Sequence, residues 1–173
     1  MTLLVRHPAT PAGAIHTVEA ELQRTKDGAT ATFRVSGDLA RLVLPPAASP
    51  GRADDLWKTT CFELFVAGEG GAYQEFNFSP STRWAGYDFA GYRTSTGNGV
   101  AQVRLTSSQD FKTLTLVAEI ACELPDPARI GLSAVIEETD GALRYWAVAF
   151  APGKPDFHAE ATRALLLDGV DAQ

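Results

Sequence analysis

Tyr73 to Arg93 reads YQEFNFSPSTRWAGYDFAGYR, a run that mixes aromatic rings with Glu75, Asn77, Asp88 and two arginines. A helix face or an ordinary loop does not call for that mixture, but a strand does, because its successive side chains point to opposite sides. Gln74, Phe76 and Phe78 then share one face, and Tyr73, Glu75, Asn77 and Ser79 share the other. The phenylalanine face belongs to a core. The Glu-Asn face is expected to be solvated or to meet a polar ligand, since buried polar groups need partners.

Working outward, the chain reads as β almost throughout. Upstream, LWKTTCFELFVAG is a strand ending in the turn GEGG, with Phe62, Leu64 and Val66 on one face and Cys61, Glu63 and Phe65 on the other. A hairpin with the YQEFNF strand brings Glu63 and Glu75 to one sheet surface. AIHTVEAELQRT and ATATFRVSGD flank Asp27-Gly28, a hairpin signal, and ARLVLP is a further short strand closed by Pro45 and Pro46. Downstream, RWAGYDFAGYR is extended and STGNG is a turn. VAQVRLTSS, FKTLTLVAEIAC, ARIGLSAVIEE and LRYWAVAF continue the series, and HAEATRALLL holds a short helical turn before a last strand. Many short strands separated by Gly and Pro turns predict an all-β sandwich or barrel. No linker, repeat or low-complexity segment divides the chain, so residues 1–173 are expected to form one domain.

Composition narrows the function classes. At 173 residues the chain is long enough for a full core. With 45% hydrophobic and 21% charged residues it is ordinary globular material rather than disordered. A net charge of -6 argues against nucleic acid, whose binding needs a basic footprint. No apolar run approaches the roughly 20 residues of a membrane span. Arg6 follows the short apolar start, whereas a secretory signal has its charge first, so the expectation is a cytoplasmic protein. Cys61 and Cys122 are too few for a disulfide scaffold and read as buried thiols.

The Glu-Asn face suits a sugar. Glu, Asn and Arg side chains match hydroxyl pairs, and an aromatic ring stacks on the C–H face of a pyranose. Glu75 with Arg93 also reads as a structural ion pair, Trp84 as core, and Asn77 beside Ser79-Pro80 as a turn cap. No Gly-x-Ser-x-Gly elbow, phosphate loop or histidine metal cluster appears. Glu63 and Glu75 are the one candidate pair for a glycosidase.

Three stretches, LWKTTCFELFV, YQEFNFSPSTRWAGYDFAGYR and SAVIEETDGALRYWAVAFAPGKPDFH, resemble the DOMON-like domains. More narrowly, they are similar to a bacterial stand-alone group related to family 9 carbohydrate-binding modules, over roughly Leu39 to His158. The resemblance implies an immunoglobulin-like or jelly-roll β-sandwich that binds a ligand rather than catalysing a reaction. It implies a sugar held between two Trp rings, the first Trp57 and the second Trp84 or Trp146, with Glu75, Asn77 and Arg93 as polar partners; the residues themselves add Glu63, on the same sheet surface as Glu75, and His158, in a Pro/Gly loop at the rim. A haem-binding or redox-accessory role is the alternative that the resemblance carries. Its usual Met/His ligation lacks a methionine here, because Met1 is the chain's one Met, so haem is not expected. Calcium is not expected either: carboxylates occur in RADD and at Glu63, but no loop pattern supplies the six to eight oxygens that Ca²⁺ takes. The expected partner is a small saccharide, and an exposed sandwich edge leaves a dimer open.

Overall fold

A computed structural model describes residues 1–99 and 101–168. Among these residues fourteen strands form two sheets. The smaller sheet joins β1 (Thr2–Leu3), β3 (Ile15–Thr25), β4 (Gly28–Gly37), β11 (Thr113–Ala121) and β10 (Gln102–Gln109), in that order. The larger runs β2 (Val5–Arg6), β13 (Leu143–Ala147), β12 (Ala128–Glu137), β6 (Cys61–Ala67), β7 (Tyr73–Phe78), β8 (Arg83–Gly91) and β5 (Gly51–Arg52). In addition, β14 (Leu165–Leu167) pairs with β12, and β9 (Thr94–Asn98) pairs with β8. All pairings are antiparallel except β5 with β8. The arrangement is the all-β sandwich that the alternation predicts. No helix among the described residues is long and apolar enough to cross a membrane.

The core lies between the sheets. Val18, Ala20, Phe33, Val35, Leu114 and Leu116 from the smaller sheet meet Phe62, Leu64, Phe76, Phe78, Leu132 and Ile136 from the larger. Phe33 stacks on Phe62 at 5.0 Å and lies 6.3 Å from Phe78, joining the two layers at the centre. Aromatic contacts of this kind add to the stabilisation from area burial.

The hairpin β6–β7 has the expected faces, in a register that sets Glu63 opposite Asn77 and Phe65 opposite Glu75. Its outer face is not open, however. Along β6, Cys61 to Val66 are all buried, because a second layer covers the outside of the larger sheet. Phe65, Tyr73, Val135, Ala147 and Phe157 form a small separate core there, with Phe89, Tyr145 and Phe150 against it. The covering segment sits close because β12 has a glycine beneath it: a Cβ at Gly131 would lie 2.6 Å from the Thr162 carbonyl oxygen.

Three local expectations change. ARLVLP is not a strand. Asp38 accepts a hydrogen bond from the Ala40 amide and caps a 3-10 turn, Leu39–Arg41, and only Leu42 bridges to Glu138. Prolines 45 and 46 lack the N–H that would extend that pairing. Leu56–Lys58 is likewise a 3-10 turn before β6 rather than part of it. STGNG is not a turn. All of it but Gly99 lies in β9, whose residues are all exposed and include no large apolar side chain, so no alternation marks the strand, and Arg93, at φ 53°, reverses the chain just before it.

Candidate ligand-binding site

On the outer face of the larger sheet, register brings Ser133, Glu63, Asn77 and Ala85 into one row across β12, β6, β7 and β8. The next row holds Gly131, Phe65, Glu75 and Tyr87. Glu63 and Glu75 are buried, at 3% and 6% exposure, and Asn77 is wholly buried. Asn77 Nδ2 donates to Glu75 Oε1 at 3.0 Å, and Ser133 Oγ donates to Glu63 Oε2 at 3.3 Å. Asn77 Oδ1 is buried with no partner.

No Lys or Arg among the described residues forms an ion pair with either glutamate. Burial therefore raises the Glu63 carboxyl well above the ordinary range, and the Glu75 charge raises it further, against the Ser133 hydrogen bond. Burial lifts Glu75 to about 7, although the Asn77 hydrogen bond and the Arg93 charge pull it down. Cys61, in the same acidic field, is also pushed up, first by burial and then by Glu63.

One flank of this floor is a hydrogen-bonded set. Arg93 donates its backbone N–H to Tyr73 Oη at 3.1 Å, and Tyr73 Oη lies 2.8 Å from His158 Nδ1. Either atom of that pair serves as the donor, according to the imidazole tautomer. Nε2 lies 3.7 Å from Glu75 Oε2. Burial, and then the Arg93 charge, holds His158 at about 4, so near neutrality this approach joins a neutral ring to a carboxyl and is not an ion pair. Asp156 accepts from the His158 amide, from Tyr92 and, at 2.9 Å, from Arg93. Burial alone would raise the Asp156 carboxyl, and these three donors hold it below its usual value instead.

The opposite flank is Arg52, Asp54, Tyr87 and Asn98. Asp54 Oδ1 accepts from Arg52 at 2.9 Å and from Tyr87 Oη at 2.8 Å, and Arg52 lies over the Tyr87 ring at 5.3 Å. The turn Leu56–Lys58 packs near β6, β7 and β8 and carries Trp57, 48% exposed, with Lys58 Nζ 5.7 Å from its ring centre.

The structure brings together Glu63, Glu75, Asn77 and His158 of the expected site residues, with Arg93 beside them and Trp57 on the turn that packs near β6, β7 and β8. Arg93 is paired with Asp156, not with Glu75. Asn77 is bonded to a side chain and caps no turn. Trp146 lies between the sheets at 5% exposure, on the face of β13 opposite the glutamates, and cannot stack on a ligand. Trp84 faces the same way and packs against the core as Phe78's cross-strand neighbour. Both tryptophans follow from strand parity, since Trp84 and Trp146 are in register with Phe78 and Ala134 of the inner face. Sequence reading missed Tyr73, Ser133, Asp54 and Tyr87. Ser133 was legible from the outward parity of ARIGLSAVIE, while Asp54 reaches the sheet through a loop that no periodicity locates. Cys61 and Cys122 are free, the first buried and the second partly so.

A larger open cleft lies at the end of the sandwich, lined by Arg24, Arg129 and Arg163 among others. It reaches Tyr73 and His158 but neither glutamate. Among the described residues no group of three or more His, Cys, Asp and Glu is placed to hold a metal ion.

Neither a protein-family model nor a curated protein matches the sequence. A solved structure does match the fold: a protein of Bacteroides uniformis presented as a candidate carbohydrate-binding protein. The two superpose with a TM-score of 0.64 at 17% identity, over 93% of this chain and 82% of that one. At that identity the likeness concerns the fold alone.

Proposed function

We propose that this chain is a non-enzymatic carbohydrate-binding module of DOMON-like type, and that its ligand lies on the outer face of β6, β7 and β8. The observation that carries this reading is the buried Glu63–Glu75–Asn77–Ser133 floor, bordered by two hydrogen-bonded flanks and an exposed tryptophan. A sheet surface that holds acceptors fixed and sets aromatic rings beside them is what polyol recognition needs. Trp57 is the stacking platform, Glu75 is the floor carboxyl nearer the surface, beside His158, and Arg93 and Asp156 form the rim. The fold likeness to a candidate carbohydrate-binding protein points the same way.

A glycosidase needs one carboxyl protonated and the other ionised. Here burial raises both, Glu63 well above the ordinary range and Glu75 to about 7, and neither glutamate carries a local catalytic motif or, among the described residues, an ion pair with Lys or Arg. Haem gains little support: both ring nitrogens of His158 face groups of this chain, Tyr73 and Glu75.

Tryptophan fluorescence, titrated with a panel of mono- and disaccharides, tests the reading. A saturable change that Trp57→Ala abolishes is expected. A flat response across the panel would remove the carbohydrate assignment.

A further inference from the structure

Resting on that reading, we infer that the group recognised at the floor of the site is a protonated amine, so that the preferred ligand is an amino sugar rather than a neutral or acidic one. With its carboxyls ionised, the floor is rich in acceptors and poor in donors. Glu63 and Glu75 bring four carboxyl oxygens, and the donors within the described contacts are Ser133 Oγ and Asn77 Nδ2. The nitrogen end of the Asn77 amide is committed to Glu75, so its buried oxygen remains without a donor.

The charged and titratable groups around the floor do not supply the missing cation. Arg93 is held by Asp156, and His158 is neutral with its Nδ1 on Tyr73. Cys61, Tyr73 and Tyr87 add no positive charge, while Arg163 stacks on the Tyr73 ring at 4.6 Å and Arg52 pairs with Asp54, neither forming an ion pair with a glutamate. Without a ligand, protons on the carboxyls relieve the like-charge pair. An ammonium group brings three N–H donors and a positive charge to the same place, and so displaces those protons to solvent. A divalent cation is the poorer fit, since it needs more oxygen ligands than two glutamates and an amide supply and no three-residue metal cluster is present. Glu75, the glutamate nearer the surface, meets the amine first, with Asn77 and Glu63 behind it.

The experiment titrates the full chain near neutral pH with glucosamine, N-acetylglucosamine, glucose and ethylammonium by calorimetry. Two buffers of different ionisation heat report proton release alongside affinity. Glucosamine is expected to bind at least about tenfold more tightly than the two uncharged sugars, the scale of one hydrogen bond to a charged group, with net proton release. Glu63→Gln and Glu75→Gln, each checked for folding by circular dichroism, are expected to narrow that preference. Equal affinity for the three sugars, or preference for an uncharged one, overturns the amine inference and leaves the carbohydrate reading standing. Binding of ethylammonium with proton release but of no sugar supports the amine site and overturns the carbohydrate reading. Binding of none of the four overturns both.

Discussion

Replacing Glu75 by Gln should change the pH dependence of stability more than it changes the structure. Gln keeps an acceptor for Asn77 Nδ2 and cannot ionise. Glu75 titrates at about 7 in the fold, chiefly through burial, against an ordinary 4.5. The folded state therefore binds this proton more tightly than the unfolded chain does. The stabilisation it gives is complete below the unfolded value and is lost as pH rises through the folded one. His158 has the opposite sign. Lowered from 6.5 to about 4, it favours the fold increasingly as pH rises across that window. The two slopes largely offset each other below about pH 6.5, and above it the carboxyl slope remains, reinforced by Glu63. Comparing Glu75→Gln with the parent cancels the His158 contribution. Between about pH 5 and about pH 8 the stability difference should move by roughly 2 to 3 kcal/mol in favour of the variant, the linkage value of the shift. Urea unfolding at several pH values measures it, and the same change appears as roughly 5 to 10 °C in Tm for a chain of this size. Parallel stability–pH curves for the two proteins would refute the account of the buried pair.

The other predictions test what holds the site in place. Arg144 is buried, bonds the Pro11 and Ala12 carbonyls, and pairs with Asp140 at 2.7 Å and with buried Glu138 at 3.5 Å. Arg144→Ala leaves Glu138 buried without its cation and should cost about 3 to 5 kcal/mol in chemical denaturation. Gly131→Ala pushes a methyl against the Thr162 carbonyl and should displace the covering segment, read as faster amide exchange around His158 with β3 and β4 unchanged. Phe33→Ala opens the centre of the core and should cost about 3 to 5 kcal/mol. Trp57→Ala, at an exposed turn, should stay within about 0.5 kcal/mol of the parent by the same assay.

Why the sheets were legible and the site only half so is a matter of what strand parity can reach. Parity alone puts Phe62, Leu64, Phe76 and Phe78 inside and Glu63, Glu75 and Asn77 outside, because each strand buries one face against a core. It says nothing about whether another layer covers the outside. Phe150 and Phe157, the residues that cover it, lie in a Pro- and Gly-containing segment with no period, as do Asp54 and Asp156. An aromatic residue in such a segment reads as a loop anchor until its partner is known. The same limit explains the tryptophans: parity turns Trp84 and Trp146 inward, while Trp57, outside any strand, has no parity to apply. The second layer changes the chemistry of the site as well as its shape. On an open sheet face Glu63 and Glu75 would be solvated carboxylates at their ordinary values. Beside the Tyr73–His158 pair and under the second layer they become two buried acids with no ion-paired Lys or Arg among the described residues. A ligand carrying its own positive charge gains most from that arrangement, because it can replace protons the fold would otherwise have to hold.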